Sequence, residues 1–394
     1  MKFKYLSILI LSVLAVIAIP IEGRADYHDS LQYNTDTIEV ILAKDTMKRI
    51  GLVKRVIRYF SETNKKSTKK FDISFIGGPN YSSDTKLGIG IVAAGLYRTS
   101  PDTLTSLSNI SLFSNIAVSG YYSLGIRGNT FFNEDRWRID YLAKFISFPT
   151  DTWGFGYKEN DIEANKSSYL RIQTLVKADV MYRIFKNTYV GTSVRFDFIK
   201  GSKYKSERYD LITKAARGYS LGAVLVYDSR DFIPNPYKGS FVKLTQDNFT
   251  TFTGKPFFRT SLIANKYLQL AKNTIIAFDL YTEFNYGATP WQMYSQLGGS
   301  YRMRGYYEGR YNDNNMVEMQ MELRQKIYNR HGIAVWVGAG NIYGDCNSFS
   351  WKHTLPNAGI GYRWEFKKRV NIRLDYGIGK NWQSGFMFGV EEAF

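Results

Sequence analysis

A single cysteine, Cys346, stands among the 394 residues, so the chain can form no internal disulfide and no cysteine-based metal site, which would need several ligands at fixed spacing. Histidines number three, His28, His331 and His353, and prolines only 9. Beyond the first 25 residues no uninterrupted apolar run reaches ~18 residues, which excludes helical membrane spans and leaves a β-barrel open. Acidic residues are in short supply, 35 against 52 lysines and arginines, for a formal net charge of +17. A basic chain suggests nucleic acid or anionic membrane. The charges are spread through many segments, and no zinc-finger, helix-turn-helix or RNP-type motif occurs, so nucleic acid is not expected and anionic lipid is.

What the sequence does have is aromatic side chains, 30 Tyr and 26 Phe, with 33 glycines and a mean hydropathy of −0.29. That mixture suits strands with one polar and one apolar face. Residues 1–25 carry Lys2 and Lys4, an apolar run from Leu6 to Pro20, and Gly23-Arg24-Ala25, the pattern of a cleaved signal peptide. Residues 26–70 are polar and basic. Within them Ile50, Val53, Ile57 and Phe60 recur at helical spacing, which predicts a short amphipathic helix lying on the membrane's inner face, in a barrel mouth or against a partner, or else a solvated lead-in.

From Phe71 to Phe394 the pattern has period two. The predicted strands are 71–77, 86–98, 109–118, 120–131, 136–147, 168–184, 188–200, 217–228, 239–250, 257–270, 273–285, 314–327, 332–343, 355–366, 370–379 and 384–394. Short polar turns such as Asn133-Glu134-Asp135 and Lys186-Asn187 alternate with long loops at 148–167, 201–216 and 286–313. An even number of strands, about sixteen, with turns short at one end and long at the other, is the layout of an all-β, antiparallel transmembrane barrel. Inward rows such as Arg171, Gln173, Lys177 and Arg183 would line a basic lumen.

One loop organises the rest. Residues 298–310, GGSYRMRGYYEGR, combine glycines at 298, 299, 305 and 309, free to take φ > 0, with Arg302, Arg304 and Arg310, which cannot lose their charge. A tight cationic loop of this kind needs carboxylate partners. The next strand sets Glu318, Gln320, Glu322, Arg324 and Lys326 on one face and Val317, Met319, Met321, Leu323 and Ile327 on the other. The loop is therefore expected to fold into a polar lumen, with Arg304 meeting an inward acid. At the chain's end Phe386, Phe388 and Val390 alternate toward Phe394, with Glu392 interrupting the apolar row.

Three motifs in order resemble the barrel domain of the BamA/TamA and two-partner-secretion transporter group, the bacterial surface antigen family. Arg304-Gly305-Tyr306 resembles its Arg-Gly-Phe/Tyr loop motif. Asp228-Ser229-Arg230-Asp231, with Pro234, Pro236 and Gly239, resembles its Asp-x-Arg-Asp turn, and Glu322-Leu323-Arg324 its Glu-x-Arg strand. Phe386, Phe388, Val390 and Phe394 resemble the signal carried by the last strand of outer-membrane barrels. The resemblance implies that Arg304 pairs with lumen acids, one of them at Glu322. The other family acid falls at Gly338, so Glu318 or Asp375 would take its place. The segment 26–70 is shorter than the ~50 residues of an independent domain. The chain thus resembles a barrel-only member without POTRA domains, in the outer membrane of a Gram-negative bacterium.

For function the resemblance implies insertion or translocation of proteins or lipids through a weak seam between first and last strands. Gly77-Gly78-Pro79 is the sequence feature expected to weaken it. Outer-membrane lipid, client barrel proteins, periplasmic or lipoprotein partners and a homodimer are the partners this implies, and no cofactor is. The alternative is a passive or structural pore. Gly218-Tyr219-Ser220-Leu221-Gly222 matches Gly-x-Ser-x-Gly but sits within an alternating strand with no helix after it, so catalysis is not expected.

Overall fold

The computed structural model describes residues 71–394 apart from 102–103, 205–214, 234, 252–254 and 368. The expected signal peptide, the 26–70 segment with its helix, and Pro234 lie outside the described residues. Eighteen strands are described: β1 Phe71–Ser82, β2 Lys86–Tyr97, β3 Ser108–Ala117, β4 Tyr122–Phe132, β5 Trp137–Thr152, β6 Ser167–Phe185, β7 Thr188–Ser202, β8 Ala216–Asp228, β9 Gly239–Thr251, β10 Phe257–Ala271, β11 Thr274–Gly287, β12 Ser295–Gln296, β13 Asn312–Asp313, β14 Asn315–Tyr328, β15 His331–Tyr343, β16 Leu355–Lys367, β17 Val370–Gly379 and β18 Ser384–Val390. All but the two-residue β12 and β13 join, each to its neighbours, in a closed antiparallel barrel of sixteen strands.

The barrel is inside-out relative to a water-soluble protein. On β14, Glu318, Gln320, Glu322 and Arg324 are at most 5% exposed, whereas Met319, Met321 and Leu323 are 51%, 41% and 37% exposed. The apolar outer face has no protein to pack on and requires lipid. Aromatic side chains gather near the short-turn end, with Trp137 against Tyr182 and with Phe185 and Tyr328 exposed, as expected where lipid meets water. The short turns hold Asn133, Asn187 and Asn329 at positive φ, which asparagine tolerates better than most residues.

Three expectations need correction. The segment read as the loop 148–167 begins only at Trp153, because β5 runs on to Thr152 while pairing Thr152 with Ser167 of β6. β1 does not stop at Gly77. It continues through Gly78 and Pro79 to Ser82, pairing with β2 from Phe71↔Tyr97 to Ser82↔Lys86. An edge strand accommodates a proline that a central one would not. β18 ends at Val390, so Phe394 is not part of it. Glu391 turns the chain at φ 70, and Glu392 is buried in the lumen, where Arg363 and Asn371 hold its carboxylate at 2.8 and 2.6 Å.

Closure is uneven. β17 and β18 pair continuously from Ile372↔Val390 to Ile378↔Ser384, yet β1 and β18 share one registered pair, Ser82↔Met387. Beside it, at the long-loop end, the Ser83 N–H donates to the Phe386 carbonyl at 3.2 Å and the Phe386 N–H to Ser83 Oγ at 3.0 Å. β18 has 7 residues, short of the ~9–11 that cross a bilayer. Toward the short turns β1 has no partner strand on its free edge among the described residues.

Candidate functional site

The connection between β11 and β14 leaves the wall and folds into the lumen. β12 and β13 start it as a two-rung ribbon, Ser295↔Asp313 and Gln296↔Asn312. Beyond the ribbon Gly298, Gly299, Gly305 and Gly309 all take positive φ, as does Met303 at 44°. Glycine is required most plainly at 305. Its φ is 115°, and a Cβ there would come within 2.6 Å of the Gly377 carbonyl carbon on β17. Leu297, Met303, Tyr306 and Tyr311 of the loop pack with Met316, Ile342 and Leu355 of the wall into a buried apolar cluster.

At the tip Arg304 is 0% exposed. Its guanidinium divides between two strands, Nη2 donating to Glu322 Oε2 at 2.5 Å and Nη1 to Asp375 Oδ2 at 2.7 Å, and lies 3.6 Å over the Trp336 ring. The Asn357 side-chain amide caps the Arg304 carbonyl. Tyr306 accepts from the Lys380 N–H at 2.6 Å and donates to the Pro356 carbonyl at 2.6 Å. Glu322 also receives Arg324 Nε at 2.8 Å, and Asp375 receives Arg363 Nη1 at 2.5 Å and Arg373 Nη1 at 2.7 Å. Four guanidiniums therefore share three buried carboxylates, Glu322, Asp375 and Glu392. Charges so buried persist because each is paired.

The second acid is thus Asp375 on β17. Glu318 instead accepts the Gly298 N–H at 3.3 Å, and Arg302 is held bidentately by Asp279 at 2.7 and 2.9 Å. Arg363, Arg373 and Glu392 were not singled out from the sequence as part of this cluster. Their signal was present in the alternation of β16 and β17, which sets Arg363, Arg373 and Asp375 on inward positions, but alternation alone does not say which acid a distant loop reaches. On the opposite wall Tyr307 shares a hydrogen bond with Thr150 Oγ1 at 3.0 Å, and Arg310 pairs with Glu163 at 2.8 Å. The loop consequently bridges the lumen from β5 to β17.

The other motifs lie elsewhere. In the β8–β9 turn Asp228 accepts Arg230 Nε and Nη2 at 2.9 and 2.8 Å, and Asp231 accepts the Tyr237 N–H at 2.9 Å and Arg369 at 2.8 Å. Pro236 is buried, and Gly239 opens β9 at φ 109. This set ties the β8–β9 turn to the β16–β17 turn and is remote from the loop tip. Ser220 is buried on β8, donating to Asp247 at 3.2 Å. His331 faces Tyr362, and His353 stacks on Tyr157. Phe386 is exposed on the outer face of β18, while Phe394 lies 5.3 Å from the Arg324 guanidinium and its carbonyl accepts Arg324 Nη2 at 2.8 Å.

The loop also touches the seam. In the β1–β2 turn Asp84 accepts the Glu308 N–H at 3.1 Å. Burial pushes the Asp84 carboxyl from its ordinary 3.8 up to about 7, against the Glu308 N–H bond, with the nearby Glu308 charge adding to the rise and Lys86 opposing it. The folded state then holds this proton more tightly than the unfolded chain, so the folded turn loses stability as pH rises from about 4 to 7, even though the ionised carboxylate is the better acceptor for the Glu308 N–H. Amide exchange in turn 83–85, corrected for intrinsic rate, should be slower at pH 5 than at pH 8, and Asp84→Asn should abolish the difference. An unchanged difference in that variant would assign the effect to another group.

The chain matches the Omp85 superfamily domain over residues 115–394. Among solved structures it resembles BamA from Haemophilus ducreyi lacking POTRA domains 1–3, at 14% identity and TM-score 0.53, covering 83% of this chain and 70% of that one. It also resembles CdiB from Acinetobacter baumannii and CdiB from Escherichia coli, each at 11% identity and covering 83% of this chain, with TM-scores of 0.55 and 0.56. The match spans 60% and 63% of those two CdiB chains. At such identities the likeness is one of fold. No curated protein sequence matches the chain. Closed sixteen-stranded architecture, lipid-facing wall and family match agree, and the chain belongs to the Omp85 superfamily, as a β-barrel of the bacterial outer membrane.

Proposed function

We propose that this barrel assists the insertion or translocation of proteins, or of lipids, at the outer membrane by opening laterally between β1 and β18, with the inward loop holding the surrounding wall in shape. The observation that carries this reading is the single registered pair closing the barrel. An unpaired strand edge is a template for another strand, so the free edge of β1 offers an incoming chain backbone hydrogen bonds that the barrel itself leaves unused. A short β18 beside it leaves local bilayer in contact with polar backbone, which lowers the barrier to remodelling. A loop that bridges the lumen favours this reading over an open pore. Client barrel proteins, outer-membrane lipid, and periplasmic or lipoprotein partners fit the proposed role, as does a homodimer joined through the same edges.

Hydrogen exchange in lipid nanodiscs tests the starting point. Peptides covering 71–82 should exchange at least ~100-fold faster than those covering 315–328, since a strand bonded on one side opens at a small fraction of the global cost. Equal protection would show a seam as firm as any other strand pair and would remove the proposed route.

A further inference from the structure

We propose that the short-turn mouth of the lumen holds a binding site for one oxyanion group, a phosphate or carboxylate presented from the periplasmic solution. This inference rests on the barrel's interior alone and stands whether or not the seam opens. A cleft of about 60 Å³ opens there between the β10–β11, β14–β15 and β8–β9 turns. Its basic lining comprises Lys272, Arg324, Lys326, Arg330 and Arg363, against two acids, Glu365 and Glu392. Both acids are already engaged. Lys326 holds Glu365 at 2.5 Å, and Arg363 Nε with Asn371 holds Glu392.

Cationic donors without an ion pair or an acceptor lie in two tiers. At the rim Lys272 and Arg330 are exposed and have no ion pair among the described residues. At the floor Arg324 and Arg363 are 5% and 3% exposed, and each keeps a buried donor without an acceptor, Arg324 Nη1 and Arg363 Nη2. The second lies 3.6 Å from Glu322 Oε2, beyond hydrogen-bond reach. A buried guanidinium N–H without an acceptor is costly, and an oxygen carrying negative charge satisfies it best. The volume suits one such group with a water or two rather than an extended ligand. The strands that line the cleft also wall it from the bilayer, so a group arriving through the open mouth has access that a lipid head group at the outer wall lacks. Short turns of bacterial barrels face the periplasm, where free phosphate and the acidic side chains or termini of unfolded polypeptides are the available sources.

The test uses the full barrel in detergent, inorganic phosphate as probe, and ³¹P line broadening at constant ionic strength set with chloride. Saturable broadening at millimolar phosphate is expected, weakened at least tenfold in Lys272→Gln/Arg330→Gln, whose exposed positions leave the fold intact. Competition by a short Asp/Glu peptide would identify polypeptide carboxylates as a source. Competition by phosphatidylglycerol vesicles would show that lipid phosphate reaches the cleft and would overturn delivery from the periplasmic solution, and competition by neither would leave the free ion. Broadening no greater than in a protein-free control, or unchanged in the double variant, would mean that the cleft holds water only and would overturn the proposal.

Discussion

Arg304→Ala is expected to free the loop tip from β14 and β17, at a cost of ~3–5 kcal/mol of local stability, because it strips one partner from a buried, hydrogen-bonded charge pair. The low end of that range applies here. Glu322 keeps Arg324 and Asp375 keeps Arg363 and Arg373, so neither carboxylate is left alone. Loss of the contact over Trp336 adds to the cost. The readout is protease cleavage within 298–310 on a barrel that otherwise stays folded, detected as faster nicking in the variant. Arg304→Lys should fall between the two, since an ammonium keeps the charge but cannot span both acids as the fork does. The exchange Arg304→Glu with Glu322→Arg should restore protection only in part, because it places the new carboxylate beside Asp375. Wild-type resistance in Arg304→Ala would show that the loop is held by its apolar cluster and Tyr306 instead.

The way this cluster is assembled also shows which parts of the structure could be read from the chain. Strand positions were legible because each strand has lipid on one side and water or charge on the other, which writes period two into residues such as Met319-Gln320-Met321-Glu322. Of the partners of Arg304, Glu322 was legible through the Glu-x-Arg resemblance, and the second only to the level of an inward acid. Glu318 and Asp375 have equal claim by alternation, and the choice is made by how far a glycine-hinged loop reaches across β15 and β16. Gly338 stands where the family motif would set an acid, and Asp375 fills the electrostatic role from two strands away.

Strand ends were read less well. Gly77-Gly78-Pro79 is a breaker pattern locally, but continuous pairing with β2 on one side carries β1 through it. At the other end apolar alternation suggested a strand to Phe394, whereas Glu392 finds two arginine neighbours inside the lumen and draws the last residues off the wall. The interruption at Glu392 was the visible sign, and its meaning depended on Arg324 and Arg363 in other strands.

Covalent closure of the seam has the second large expected effect. Ser82 and Met387 are the registered pair across it, so Ser82→Cys with Met387→Cys places two thiols on directly opposed positions, whose usual Cα separation of ~4.5–5.5 Å falls in the range that a disulfide spans. Cys346 is exposed and would be changed to serine first, so that oxidation can join only the introduced pair. The most direct measurement is the rate at which an unfolded outer-membrane barrel protein inserts into vesicles carrying this variant, oxidised and then reduced. The reduced barrel should accelerate insertion at least ~10-fold over protein-free vesicles, equivalent to about 1.4 kcal/mol off the barrier, and the oxidised barrel should fall to the protein-free rate. Equal acceleration by both forms would contradict a mechanism that works through the β1–β18 opening.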